Sequence, residues 1–392
     1  MLRLWATMVN VTPPDSERSR RWAATMEGYD GGADDVTVAH RDSHASVAVS
    51  EPDRSDVAGT RLEREELADA HLAVGATRAE GAGHRAREEE PDTYRTCFER
   101  DRDRILHSSA FRRLAGKTQV FIFPEDHMRT RLTHALEVAQ VATGVARATG
   151  LNVDLTEAIA LGHDCGHGPG GHASEEALDP YVEGGFDHAR WGAEVSLASL
   201  NLCAETLDGI SHHSWARPAP ATPEGEVVSW ADRVAYVCHD FEDAVAARIV
   251  DPRDLPRLVR ERCGERRGQQ LGSLITALIA TVRDTGVIGM DARHAEALAE
   301  FRAFNYRAIY MRGPSQVQAA AVVDLLRALV DYFAEHPRLI PDESQTELRA
   351  GEAAALHAAV GYVAGMTDRF ACRSAVRLLG WPDDRLPTSL DR

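Results

Sequence analysis

The sequence predicts an all-α fold. From Arg100 onward, apolar residues recur at helical spacing almost without a break. Strand-like alternation is scarce, its best stretch being Gln119 to Phe123, and no internal repeat turns the helical pattern into a solenoid.

Taken in order, residues 1–58 are rich in Asp, Ser, Ala, Gly and Arg with no sustained period, which predicts a poorly ordered leader or an over-early start. From Arg61 the character changes, with Leu62, Leu67, Leu72 and Val74 beginning to recur. Segment 98–115 carries Phe98, Ile105, Leu106, Phe111 and Leu114 at helical spacing. Segment 129–149 is mostly apolar (Leu132, Leu136, Val138, Val141, Val145) and reads as a buried central helix. Asp154 followed by Glu157 is a capping-type start for a helix over 155–163. A further helix over 174–180 closes at Pro180, and another spans 189–208. A loop rich in Pro, His and Gly follows over 209–228, after which Ser229 caps a helix to about 247. Helices over 269–284, 292–303, 316–336 and 345–364 fill the C-terminal third.

Composition excludes several function classes. At 392 residues with 44% apolar content the chain can bury a sizeable core, yet no apolar run is long enough to span a bilayer and no signal-peptide pattern opens it. Cys97, Cys165, Cys203, Cys238, Cys263 and Cys372 lack paired spacing, which points to free thiols and a cytoplasmic setting. A formal charge of −17 argues against wrapping duplex nucleic acid, which needs a broad cationic face. For an anionic substrate, Arg112, Arg113, Lys117, Arg129 and Arg131 form a local basic cluster. Lys117 is the only lysine, against 43 arginines (44 Lys plus Arg, less one), which hints that a compact ammonium is wanted there.

The densest chemistry lies in His163-Asp164-Cys165-Gly166-His167-Gly168-Pro169-Gly170-Gly171-His172, where glycine and proline break the helix and bend the backbone. His134 on the central helix, His163 and Asp164 at the end of the next, and Asp232 in the first turn after Ser229 make a mixed N/O set. Such a set suits Mn, Fe, Mg or Zn with room left for water. Singly, His134 reads as a core histidine and Asp232 as a residue complementing the helix dipole; the four together favour a metal site. Asp232, Tyr236 and Asp240 follow at i, i+4 and i+8, a polar stripe on an otherwise apolar helix that implies a cavity.

The order Arg131-x-x-His134, His163-Asp164 and distant Asp232 resembles the HD-domain metal-dependent phosphohydrolases. The longer strings DRDRILHSSAFRRLAGKTQVF (101–121), RTRLTHALEVAQVA (129–142), EAIALGHDCGHGPGGHASE (157–175), LDGISHHS (207–214) and EGEVVSWADRVAYVCHDFEDAV (224–245) are similar to the bacterial dGTPase group of deoxynucleoside triphosphate (dNTP) triphosphohydrolases. The resemblance covers residues 60 to 255 and is looser beyond. It implies an HD-type core over 59–255, with 256–392 as a helical C-terminal extension completing the nucleotide pocket and oligomer contacts. It implies hydrolysis of dGTP or several dNTPs at the α-phosphorus, giving deoxynucleoside and intact triphosphate. His134, His163, Asp164 and Asp232 would hold a divalent ion (Mn, Mg, or Fe, Zn or Co). His172 would be the catalytic acid/base, oriented by Glu175. His167 and His188 would line the phosphate pocket, Arg131 would hold the α-phosphate, and Tyr236 would support the phosphates. Gln119 and Asp240 would bind the sugar's 3′-hydroxyl, with Val120 packed where a 2′-hydroxyl would sit. Activation by a dNTP and a ring-like homo-oligomer, a hexamer in relatives, come from the resemblance alone. The resemblance leaves room for single-stranded DNA as a regulator, and nothing in this sequence demands it.

Two departures bear on rate and preference. Gly170 stands where the family usually has an aromatic, which removes packing beside His172 and loosens the loop. His188-Ala189-Arg190-Trp191-Gly192 replaces the usual His-Asn-x-x-Gln, so the amides that would brace His188 are gone. Two other readings compete: an HD phosphohydrolase acting on a nucleoside monophosphate or cyclic nucleotide, and a non-catalytic nucleotide sensor on the same fold. Arg131, Tyr236 and His167 count against the first, and retention of His172 and Glu175 against the second.

Overall fold

The computed structural model describes residues 17–23, 28–30, 36–43, 60–79, 83–124, 127–341 and 348–388, in two compact units, Met1–Val57 and Ala58–Arg392. In the first, a helix (α1, Glu17–Ala23) and an antiparallel pair (β1, Tyr29–Asp30; β2, Thr37–Val38), with Tyr29 opposite Val38, are the described elements. The rest of the expected leader lies outside the described residues. The second unit is helical throughout, as the apolar period predicts.

Several helices of that unit begin where the sequence supplies a cap. Thr60 with Glu63 forms a capping box on α2 (Arg61–Asp69), and Thr96 with Glu99 does the same on α3 (Cys97–His107). Ser108 caps the short α4 (Ser109–Arg113). Helix α5 (Arg131–Thr149) ends at Gly150 with φ +72°. Helix α6 (Val153–Gly162) is capped by Asn152, whose Oδ1 accepts from Leu155 N at 3.1 Å; the Asp154 start expected from sequence is displaced by two residues. Helix α7 (Ala173–Leu178) passes into a 3-10 turn containing Pro180.

The single helix expected over 189–208 is broken. Helix α8 (His188–Trp191) runs into a π turn, the chain turns at Asn201 in the left-handed region, and α9 (Ala204–His212) starts afresh. The expected start at Ser229 is likewise too late. Helix α10 (Pro223–Ala246) is capped by Thr222 with Pro223 in its first turn, so Asp232 lies well inside the helix and the dipole reading of it fails. Helices α11 (Arg257–Cys263), α12 (Arg267–Thr285), α13 (Ala292–Asn305), α14 (Gly313–Glu335), α15 (Ala353–Ala364) and α16 (Asp368–Ser374) follow; α11 and α16 were not expected. Gln119 to Phe123 forms bends rather than a strand, its neighbour Thr118 making only an isolated bridge to Thr130.

Three apolar clusters place the site. One gathers α3, α5, α6, α9 and the start of α10 around Ile105, Val138, Leu155, Ile159, Ile210 and Val227. A second gathers α10 to α13 around Phe241, Leu255, Leu274 and Phe301. A third joins α7, α14, α15 and α16 around Leu178, Leu326, Val330 and Val360. Helix α10 runs from the first cluster into the second, and the cavity opens along it. Arg129 holds α5 against α10, reaching Glu137 at 2.8 Å, Glu242 at 2.7 Å and Asp243 at 2.5 Å.

Candidate active site

A cavity of about 520 Å³ lies among α5, the loop after α6, α10 and the C-terminal helices. Of the thirteen residues singled out from sequence, eleven line it: Gln119, Val120, Arg131, His134, Asp164, His167, His172, His188, Asp232, Tyr236 and Asp240. His163 and Glu175 stand directly behind these walls, in contact with lining residues.

One side of the cavity gathers the two imidazoles and two carboxylates. His134 Nε2 lies 3.0 Å from Asp232 Oδ1, and His163 Nε2 lies 3.7 Å from the same oxygen and 3.6 Å from Asp164 Oδ1. His163 Nδ1 donates to the Ala160 carbonyl at 2.7 Å, which leaves Nε2 as a lone-pair donor facing the carboxylates. That atom is buried without a hydrogen-bond partner. Burial opposes charge on Asp232, but the facing His134, His163 and His213 rings outweigh it and hold the carboxyl below the ordinary range. On Asp164, burial is likewise outweighed by Arg131, His163 and His167. Acceptors kept ionised, with a buried imidazole lone pair among them, fit a divalent cation. His134, His163 and Asp164 offer atoms close enough together to share one ion, and so do His163, His213 and Asp232.

The other side is a chain of paired groups. Gly166 lets the loop lie flush on α8, since a Cβ there would stand 1.9 Å from the His188 carbonyl oxygen. Glu175 Oε1 accepts from His188 N at 3.1 Å and pairs with His188 Nδ1 at 2.6 Å, while Oε2 faces His172 Nδ1 at 3.4 Å. His213 Nδ1 donates to the Ile210 carbonyl at 2.8 Å, so its Nε2 accepts from His188 Nε2 at 3.2 Å. With donors needed at both nitrogens, His188 is held as an imidazolium: burial opposes the charge, and Glu175 outweighs it and raises the pKa. His213 goes the other way, pushed down to about 4 by burial and by His163 and His188. The missing amides after His188 therefore do not leave it unbraced, because Glu175 and His213 hold it. His167 stacks on His188 with ring centroids 3.7 Å apart, and burial, Arg131 and His188 keep it neutral. His172 is the most open of the set, its side chain 77% exposed beside Glu175.

The basic cluster expected ahead of the histidines is mostly committed elsewhere. Arg129 is ion-paired, Arg112 bonds the His107 carbonyl, Arg113 lies beside Gly365, and Lys117 is buried against backbone carbonyls. Only Arg131 of the five lines the cavity, giving Nη1 to Asp164 Oδ2 at 2.8 Å while Nε and Nη2 stay buried and unpartnered. The other lining cations are Arg233, stacked 3.5 Å over the Trp215 ring, and Arg302, whose Nε donates to Tyr236 Oη at 3.0 Å. Neither was singled out from sequence, although Arg233 stands next to Asp232. Arg302 carries no local signal, since only the fold of α13 brings it to α10.

Further along, Tyr310 donates its hydroxyl to Asp240 Oδ2, whose Oδ1 is buried without a partner, as is Gln119 Oε1. Burial pushes the Asp240 carboxyl up to about 7. Gly170, with φ +75°, is packed rather than loose: a Cβ there would meet Val322 Cγ1 at 2.5 Å, so α14 fills the space that an aromatic would need.

The HD domain family model matches residues 131–237, and the phosphohydrolase-associated domain model matches 288–377. A deoxyguanosinetriphosphate triphosphohydrolase-like protein from Caldanaerobacter subterraneus subsp. tengcongensis is 42% identical over 315 residues, covering 78% of this chain and 92% of that one. One so described from Clostridium perfringens strain 13 is 37% identical over 302 residues, covering 73% and 87%. A hypothetical protein of solved structure from Aquifex aeolicus superimposes with a TM-score of 0.47 at 18% identity, over 72% of this chain and 69% of that one. Within the C-terminal third, read from sequence as only loosely similar, residues 288–377 are thus matched by a domain model of their own.

Proposed function

Because the chain belongs to the deoxyguanosinetriphosphate triphosphohydrolase-like family of HD-domain phosphohydrolases, we propose that it hydrolyses dNTPs at the α-phosphorus, releasing deoxynucleoside and intact triphosphate. What carries this reading is the concentration of unsatisfied buried groups in one cavity. Arg131 Nε and Nη2, His167 Nδ1, Arg233 Nε, Gln119 Oε1 and Asp240 Oδ1 all lack partners there, and so does His163 Nε2 directly behind its wall. Buried polar atoms are rarely left so, and these divide into the Arg131 and Arg233 donors, suited to an anion, and lone-pair acceptors suited to a cation or a hydroxyl.

His134, His163, Asp164 and Asp232 would hold a divalent ion, of which Mn, Mg, Fe, Zn and Co all suit the donor set. Such an ion, when bound, polarises a phosphoryl oxygen and acidifies water. Arg131, fixed by Asp164, is placed to take an α-phosphate oxygen with its free Nη2. The His188 imidazolium, with His167 stacked on it, supplies positive charge beside it; Arg233 and Arg302 receive the outer phosphates, with Tyr236 between them. His172, open on one face and backed by Glu175, is the group that hands a proton to the departing 5′-oxygen. Gln119 and Asp240 present acceptors to the sugar's 3′-hydroxyl, and Val120 leaves no polar partner for a 2′-hydroxyl. Catalysis lies in residues 59–255, with 256–392 completing the pocket. No described helix is long and apolar enough to cross a membrane, and the six free thiols suit a reducing interior.

The test is incubation of the purified protein with each dNTP and Mn or Mg, alone and with a second dNTP as activator. Release of inorganic triphosphate is expected; its absence in every combination would sink the proposal.

A further inference from the structure

Lys117 and Asp368 are buried, charged and unused by the chemistry above. Lys117 Nζ donates to the His167 carbonyl in the catalytic loop and to the Ala364 carbonyl at the end of α15, the latter at 2.9 Å. Its own backbone carbonyl accepts from Arg131 N at 3.3 Å, at the start of the helix that carries His134. Asp368, the first residue of α16, accepts from Thr118 Oγ1 at 2.5 Å through Oδ2 and from Gly170 N at 2.9 Å through Oδ1. Between the two anchors, Gly116 lies against Thr367, where a Cβ would come within 2.8 Å of Cγ2.

These contacts share a direction. Each polar bond runs from the α15–α16 junction, or from the one lysine that reaches it, to residues 167–170 or to the segment before α5. Gly170 is two residues from His172 and rests on Val322 of α14 as well. A buried side-chain carboxyl accepting from a loop N–H is a directional constraint, which apolar packing alone does not provide. The compact ammonium fits where two carbonyls converge, and the planar guanidinium of the 43 arginines used elsewhere does not match that geometry.

We propose that Lys117 and Asp368 are positioning residues, a two-point clamp through which the C-terminal region fixes the catalytic loop and hence the place of His172. The clamp rests on the reading of His172 as the proton donor for its effect on rate, but not for its effect on the loop. Loss of the Asp368 carboxylate frees Gly170 N and Thr118 Oγ1 while leaving His134, His163, Asp164 and Asp232 on their helices. The clamp thus acts on turnover and loop order, and leaves metal binding alone.

The 392-residue protein is compared with Asp368→Ala, Asp368→Asn and Lys117→Met by amide hydrogen exchange, by Mn content after loading, and by kcat and KM with dGTP. In Asp368→Ala the amides of 168–172 should exchange about tenfold faster, with those of α5 and α10 unchanged. Mn content should be unchanged, kcat should fall about tenfold, and KM should stay within about twofold. Asp368→Asn, whose amide oxygen still accepts one bond, should lie between, and Lys117→Met should loosen 165–168. Unchanged exchange at 168–172, or loss of Mn in step with rate, overturns the clamp. If Asp368→Ala gives no cooperative melt, Asp368→Asn and Thr118→Val are read by the same criteria. If the wild type turns over no dNTP, the functional reading fails while hydrogen exchange still decides the clamp.

Discussion

The metal side of the cavity and its proton side are built from opposite materials. His134, His163, Asp164 and Asp232 project from the body or end of three long-packed helices, α5, α6 and α10, and their backbone positions follow from apolar packing. His172, Glu175 and His188 sit on two short helices and a glycine-rich loop, and their orientation follows from polar contacts with one another and with α14 to α16. One side is set by core residues that no ligand touches; the other is set by groups that themselves carry charge. Changes on the first side should therefore act all or none, and changes on the second should be graded and dependent on pH.

The sharpest break between the two is metal retention. His134→Ala or Asp232→Ala should lose bound Mn and lower kcat/KM about 10³-fold or more, since the ion supplies several kcal/mol of charge stabilisation. His172→Ala should keep Mn, measured in the same preparation, and lower kcat about 10²- to 10⁴-fold. Near-full turnover by His172→Ala would remove it as the acid/base and direct attention to His188. Glu175→Gln separates the roles further: Glu175 holds His188 more closely than His172, at 2.6 Å against 3.4 Å. The substitution should therefore raise KM as well as lower kcat, whereas a carboxylate serving His172 alone would move kcat only.

A smaller effect tests the cations that only the fold brings together. Arg302→Met should raise KM for dGTP about tenfold with kcat little changed, because the guanidinium lies at the outer end of the cavity beside Tyr236. An unchanged KM would take Arg302 off the phosphates.

The same division decides what could be read from the sequence. The metal side was legible because its residues lie on, or at the end of, helices whose apolar period fixes which face is buried; the i, i+4, i+8 stripe of Asp232, Tyr236 and Asp240 needed no tertiary knowledge. Even the misplaced start of α10, at Ser229 instead of Pro223, left those three on one face. Loop environments were not legible. Gly170 read as a loose point because nothing local says that Val322, more than 150 positions away, occupies its space. The brace on His188 was hidden for the same reason, since Glu175 and His213 reach it from other elements. The helix over 189–208 failed because its apolar residues continue through Leu197 and Leu202 while the backbone turns at Asn201; periodicity records burial and does not distinguish one helix from two.

The gentlest test uses a residue belonging to neither side fully. Asp240 rides on the metal-side helix but faces the sugar end, between Tyr310 and, at longer range, His134, Asp243 and Arg131. Burial pushes its carboxyl up from an ordinary 3.8 to about 7. A raised acid binds its proton more tightly when folded, so its contribution to stability is fully present below pH about 4 and is lost as pH rises through about 7. The depressed carboxyls of Asp164, Asp232 and Glu175 give the opposite slope, but at pH values below this window, and they are common to both proteins being compared. Asp240→Asn mimics the protonated form at every pH. Its Tm should come closest to wild type near pH 4 and exceed it by several degrees near pH 8. A Tm difference that does not change between those two pH values would mean that Asp240 is ionised in the folded protein throughout, paired with a group from the metal side rather than held neutral for a hydroxyl.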